Sequence, residues 1–190
     1  LHGGGLSWWH YKEAAERLQM DYHVIIPIID GHAGCDKPFT TIENNASEII
    51  EFINNKLGGS VLLIGGLSLG GQILLEILSQ HKNICKYAIV ESALVIPSKF
   101  TYSMIKPAFG SCYNLRIKSD LFDEYYKDTC AITKSDMISF LQENSVYSLK
   151  DGIRDCEAIV WIFVGEKENN SIKKSAKLIH EKLQGSFIQV

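Results

Sequence analysis

A short apolar run, Val61-Leu62-Leu63-Ile64, passes without a spacer into Gly65-Gly66-Leu67-Ser68-Leu69-Gly70-Gly71, and an apolar stretch continues to Gln80. A wholly apolar run of this length reads as a strand buried on both faces, which belongs in a parallel sheet covered by helices. The residues from Gly70 to Gln80 read as the helix that follows. Between the two, Gly66-Leu67-Ser68-Leu69-Gly70 fits G-x-S-x-G, and a strand before it with a helix after it is the context that gives this motif meaning. The turn has to be sharp enough to push the Ser68 hydroxyl out above the sheet. Residues lacking a Cβ are needed where it packs on neighbouring backbone, hence Gly66 and Gly70, with Gly71 letting the helix approach the strands.

The rest of the chain alternates in the same way. Ser7 is placed to cap a helix from Trp8 to Met20, and Tyr22 to Ile29 reads as a buried strand with Pro27 near its end. Asp30 to Pro38 is a loop by its glycine and proline content. Thr41 caps a helix carrying Ile42, Ala46, Ile49, Ile50 and Ile53 on one face, stopped at Gly58-Gly59. Tyr87 to Val90 is a further strand. From 93 to 155 the strand signal stops, and helical patches stand near Phe100–Lys106, Asp120–Ala131 and Ser135–Glu143, with turns at Pro107 and Gly110. Ala158 to Val164 returns to strand, Ser171 to Leu183 to helix, and Ser186 to Val190 to strand. The expected fold class is therefore α/β, a mostly parallel sheet with flanking helices. Residues 1–92 and 156–190 form the core, and 93–155 form a helical lid over the edge where open sheets of this kind keep their sites.

Composition narrows the function. The 190 residues suffice for one domain with a real core, 46% of them are hydrophobic, and the net charge is −3. There is no basic field to collect nucleic acid, and no apolar run of the roughly 18 residues that span a bilayer. Five cysteines without a C-x-x-C pair argue against a disulfide framework or a zinc site and fit a reducing cytoplasm. The expected partner is a small-molecule substrate, with no cofactor and no metal.

His2-Gly3-Gly4-Gly5 is an HGGG-type loop, whose backbone N–H groups serve an oxyanion hole together with the N–H of the residue after the nucleophile, here Leu69. Gly4 is the expected donor, with Gly5 as the alternative, and His2 is expected to brace the loop. With HGGG, then Asp30-Gly-His-Ala-Gly after a strand, then G-L-S-L-G-G, the chain resembles the α/β-hydrolase family, and within it lidded bacterial serine hydrolases. The resemblance implies that the nucleophile Ser68 is followed in chain order by an acid and then a histidine. The acid belongs in a turn after the post-lid strand. There Gly165-Glu166-Lys167-Glu168 offers Glu168, with Glu in place of the usual Asp, and Glu91, closing the strand after the nucleophile helix, is the alternative. The family's histidine comes after the last strand. The chain opens with Leu1 and stops within that strand at Val190, so a fragment is expected, with the histidine beyond residue 190.

None of the six histidines present matches that position. His10 and His180 fall on helices, His23 starts a strand, His81 ends a helix, His2 braces the loop, and His32 lies in a loop at the right edge of the sheet. The resemblance implies hydrolysis of an ester or thioester through an acyl-enzyme. Acyl transfer, carbon–carbon bond hydrolysis and a non-catalytic binding role are the alternatives. Aromatic residues of the lid, Phe100, Tyr102, Phe109, Tyr113, Tyr125, Tyr126, Phe140 and Tyr147, with Met104, suggest an apolar acyl pocket, or lid helices packed on the sheet.

Overall fold

In the computed structural model the described residues are 1–98 and 119–190, with side chains described from 122 in the second stretch. The helical patch near Phe100–Lys106, the turns at Pro107 and Gly110, and the aromatics Phe100, Tyr102, Phe109 and Tyr113 with Met104 lie outside the described residues.

Four parallel strands stand side by side in chain order: β1 (Val61–Leu67), β2 (Cys85–Glu91), β3 (Ile159–Phe163) and β4 (Ser186–Gln189). The post-insertion strand β3 is thus two places from the strand that leads into Ser68. In register, Ile64, Ala88 and Val160 form one row across the sheet, and all are buried. The opposite face carries Tyr87, Trp161 and Phe187, whose rings meet in sequence with centroids 5.6 and 6.3 Å apart. β1 is longer than its apolar run suggests, because Gly65, Gly66 and Leu67 continue the ladder opposite Ile89, Val90 and Glu91. Glycines that read as the start of a turn are held extended by a neighbouring strand.

Among the helices are α1 (Lys12–Leu18), α2 (Ile42–Lys56), α3 (Leu69–Gln80), α4 (Ser119–Ala131), α5 (Lys134–Val146) and α6 (Asn170–Lys182). The Thr41 hydroxyl caps α2 by accepting the Asn44 N–H, Thr133 caps α5 through Asp136 N–H, and Asn169 caps α6 through Ile172 N–H. Gly58 and Gly59 end α2 with φ of 75° and 92°, a conformation side chains resist. α3 is central: every residue from Leu69 to Leu78 is buried, and it packs on β1, α2 and the short turn Asp151–Asp155. The fully buried Gln72 of α3 donates from Nε2 to the carbonyls of Leu94 and Asn144 and accepts from Asn144 Nδ2. This fastens α5 and the chain after β2 onto the core.

Two expectations need correction. The helix after Ser7 begins as a 3-10 turn, Trp8–Tyr11, before α1, and the Ser7 hydroxyl caps nothing. Tyr22–Ile29 is not a strand. It has no ladder partner among the described residues, and Tyr22 and Ile25 are exposed. His23 therefore starts no strand either. The outer edge of β1 is occupied instead by Leu1, whose amine donates to Gly65 O while Leu67 N–H donates to its carbonyl. A strand exists only where another backbone takes its hydrogen bonds, and at the end of this segment those bonds go to side chains. Ile29 N–H donates to the His2 ring, and Asp30 N–H to Asn45 Oδ1.

Candidate active site

Ser68 sits between β1 and α3 with φ 50° and ψ −111°, a left-handed conformation that a residue with a Cβ holds only under constraint. The constraint is visible on every side. Ser68 N–H donates to Glu91 O of β2 at 2.8 Å, and Gln72 N–H bonds Ser68 O as α3 begins. A Cβ on Gly66 would stand 2.3 Å from Gly70 O and 2.8 Å from Gly71 N, and one on Gly70 would stand 2.3 Å from Leu1 O. These are backbone atoms with nowhere to move.

Gly66→Ala is accordingly expected to cost about 3 kcal/mol and lower Tm by roughly 6–12 °C. Gly65→Ala next to it, whose Cβ would first meet Ile89 at 4.0 Å, is expected to stay within about 1 kcal/mol of the parent. Thermal unfolding of the two variants checks the contrast.

The HGGG loop lies directly on this turn. The Cβ position of Gly3 is 3.5 Å from Leu67 O, and that of Gly4 is 3.7 Å from the Leu69 side chain. Leu69 is the first residue of α3, so its N–H has no acceptor within the helix. Gly5 differs from Gly4. Its N–H donates to His32 Nε2 at 3.0 Å and its φ is 77°. Among the described residues Gly4 N–H makes no hydrogen bond, which leaves Gly4 rather than Gly5 with a donor to offer. Phe140 of α5 covers Gly4, 3.1 Å from its Cβ position, and stacks on His32 with centroids 4.9 Å apart. Of the aromatics expected to line a pocket, Phe140 thus reaches this loop. Tyr125 packs on Trp9, and Tyr147 is buried in the core.

The two candidate acids have different surroundings. Glu168 Oε1 accepts the Ser92 hydroxyl at 2.8 Å, and its N–H closes the turn onto Gly165 O. Ser92 follows the residue that holds Ser68 N–H, and it too is forced to φ 50°, with its N–H on Phe163 O. Glu91 bears instead on the Trp8–Tyr11 turn. Burial and the Glu91 charge push the Tyr11 hydroxyl up to about 12; burial lowers His10, and Glu91 works against that. Ser92 has no sequence signature, since a serine after a strand is ordinary. Its positive φ, visible only in three dimensions, is what marks it.

No histidine among the described residues is hydrogen-bonded to Ser68. His180 meets Ser186 Oγ at 2.8 Å, and both nitrogens of His2 and of His32 are spent on main chain. Burial, with the neighbouring His32 adding to it, pushes His2 down to about 3. The unfolded imidazole titrates near 6.5 and the folded one near 3, so the unfolded state binds the extra proton between them. The stability that the neutral His2 contributes is fully present above about pH 6.5 and is lost progressively as pH drops towards 3, and His2→Asn is expected to flatten that acid limb. Unfolding free energies by urea titration across this range test it.

A cleft of about 670 Å³ opens between the 31–38 loop and α4, with Trp8, His32, Cys35 and Asp128 in its wall, and Ser68 does not line it. Among the described residues no group of three or more His, Cys, Asp or Glu is placed to hold a metal ion, and no helix is long and apolar enough to cross a membrane.

No family model and no curated protein matches the chain. Solved structures do. An esterase from Exiguobacterium antarcticum is 21% identical with a TM-score of 0.79, over 100% of this chain and 81% of its own. A lipase-esterase related protein from Clostridium acetobutylicum is 19% identical with a TM-score of 0.77, over 100% and 82%. A meta-cleavage product hydrolase from Pseudomonas fluorescens is 15% identical with a TM-score of 0.69, over 98% and 78%. At these identities the likeness establishes the fold, and the fold is that of the α/β-hydrolases.

Proposed function

We propose that this chain carries the catalytic core of a serine hydrolase acting on carboxylic esters or thioesters with small apolar acyl groups. The observation that carries the reading is Ser68 held at φ 50° on the strand-to-helix turn, with the His2–Gly5 loop packed against that turn and, among the described residues, no acceptor on the Gly4 N–H. Backbone donors fixed before the reaction stabilise charge that develops on the carbonyl oxygen, without reorganising.

Ser68 Oγ attacks the acyl carbon and passes its proton to an imidazole. The carbonyl π pair moves onto oxygen, facing Leu69 and Gly4. When it returns, the bond to the leaving alcohol or thiol breaks, and that group takes the proton. Water then repeats the sequence on the acyl-enzyme and frees the acid. Glu168, steadied by the Ser92 hydroxyl, orients the imidazole that takes the Ser68 proton. Phe140 and Leu69, flanking Gly4, favour an apolar acyl group. The meta-cleavage product hydrolase among the structural neighbours keeps a second reading open, carbon–carbon bond hydrolysis on the same groups.

Stopped-flow assays of the full-length protein with p-nitrophenyl esters and acyl thioesters test the proposal. The expected result is a burst of about one released leaving group per protein ahead of steady turnover. Absence of release from every ester and thioester, with carbon–carbon cleavage of a dienoate substrate in its place, would move the protein to the second reading.

A further inference from the structure

Two buried imidazoles join the His2–Gly5 loop to the bend at Ile29–Asp30, and each serves the other's strand of chain. His2, in the loop, accepts the N–H of Ile29 in the bend at 3.0 Å. His32, just past the bend, accepts the N–H of Gly5 in the loop, also at 3.0 Å. A backbone N–H can only donate, so both Nε2 atoms are bare and both protons sit on Nδ1. From there each ring donates to a carbonyl 3.0 Å away, His2 to Gly3 O and His32 to Asp30 O. The rings meet edge to face with centroids 4.9 Å apart, and Phe140 stacks on His32 while touching the Cβ position of Gly4. His2 and His32 are 0% and 2% exposed, so each ring nitrogen takes its partner from the protein itself.

We propose that His2 and His32 are positioning residues of the reaction: as two neutral rings they take up the N–H groups of Ile29 and Gly5 and lock the loop, so that of Gly4 and Gly5 only Gly4 turns its N–H to the substrate carbonyl, beside that of Leu69. This rests on the hydrolase reading of Ser68. Gly5 is pinned at its carbonyl too, by Thr129 Oγ1 at 3.4 Å, so this residue is held at both its N–H and its carbonyl. Without the His32 acceptor, a buried Gly5 N–H is left unpaired, and the loop turns to satisfy it at the expense of the Gly4 donor.

The test uses the full-length protein. His32→Ala is expected to lower kcat for ester hydrolysis about 10- to 100-fold with KM changed less than about threefold, the pattern of an interaction made in the transition state. His32→Gln, whose Oε1 accepts at about the reach of Nε2, is expected to recover most of the loss. A His32→Ala kcat within about twofold of the parent, in a protein whose Ser68 still reacts with a fluorophosphonate, overturns the positioning role and leaves the hydrolase reading intact. A parent protein whose Ser68 does not react at all overturns the hydrolase reading, and the positioning role with it. Should His32→Ala fail to fold, long-range ¹H–¹⁵N spectra of the parent still decide. Both rings as Nδ1–H tautomers at neutral pH is the expected result, and an Nε2–H tautomer on either ring overturns the proposal.

Discussion

Ser68→Ala is expected to lower kcat for ester hydrolysis by a factor on the order of 10⁶ while leaving the protein folded. The chemical half of this expectation follows from what the hydroxyl does. It is the atom that bonds to the acyl carbon, and the oxyanion donors alone retain only a small residual rate. The structural half follows from what holds the turn. The left-handed φ of residue 68 is enforced by the Glu91 carbonyl on its N–H, by the start of α3 on its carbonyl, and by the backbone packed on Gly66 and Gly70. None of these contacts involves Oγ, and alanine carries the same Cβ. Steady-state kinetics beside a thermal melt separates the two halves. A full-rate Ala variant would place the nucleophile elsewhere, and an unfolded one would mean that the hydroxyl carries the turn.

The second large effect concerns the acid. Glu168→Gln is expected to cost about 10⁴ in kcat, as an amide that stabilises the wrong imidazole tautomer does in a serine triad, and Glu91→Gln is expected to cost far less. β3 lies two places from β1, and Glu168, four residues past Val164, curls back until its carboxylate meets Ser92 at the end of β2. A carboxylate with one oxygen on a hydroxyl keeps the other for an imidazole N–H. Glu91 instead turns its charge on His10 and Tyr11, in the turn that follows the HGGG loop. The reverse ranking in measured kcat would transfer the acid's role to Glu91 and reduce Glu168 to a partner of Ser92.

The features of this fold legible in the sequence are those decided by neighbours along the chain. The apolar runs at Val61, Tyr87, Ala158 and Ser186 became strands, and Thr41 capped its helix, because periodicity and capping are local. Tyr22–Ile29 is rich in isoleucine and valine like those strands and failed, because a ladder needs a second backbone, which composition does not supply. The reading of Gly65-Gly66-Leu67 erred in the opposite direction. Glycines that signal a turn in isolation were drawn into β1 by pairing with β2.

At the candidate site, the Ser68 turn and the HGGG loop were visible as motifs, but the distinction between Gly4 and Gly5 was not. It depends on His32, 27 residues from Gly5, accepting one N–H and not the other. Ser92 was invisible for a like reason, since its importance lies in a carboxylate 76 residues away.

The reading of Ser68 as an activated nucleophile is tested most directly by locating a covalent adduct. Full-length protein treated with a fluorophosphonate, digested and sequenced by tandem mass spectrometry, should carry the phosphonyl group on Ser68 within Gly66–Gly70. Ser68→Ala should carry none. An adduct on any other residue, or equal labelling of the Ala variant, would contradict the account.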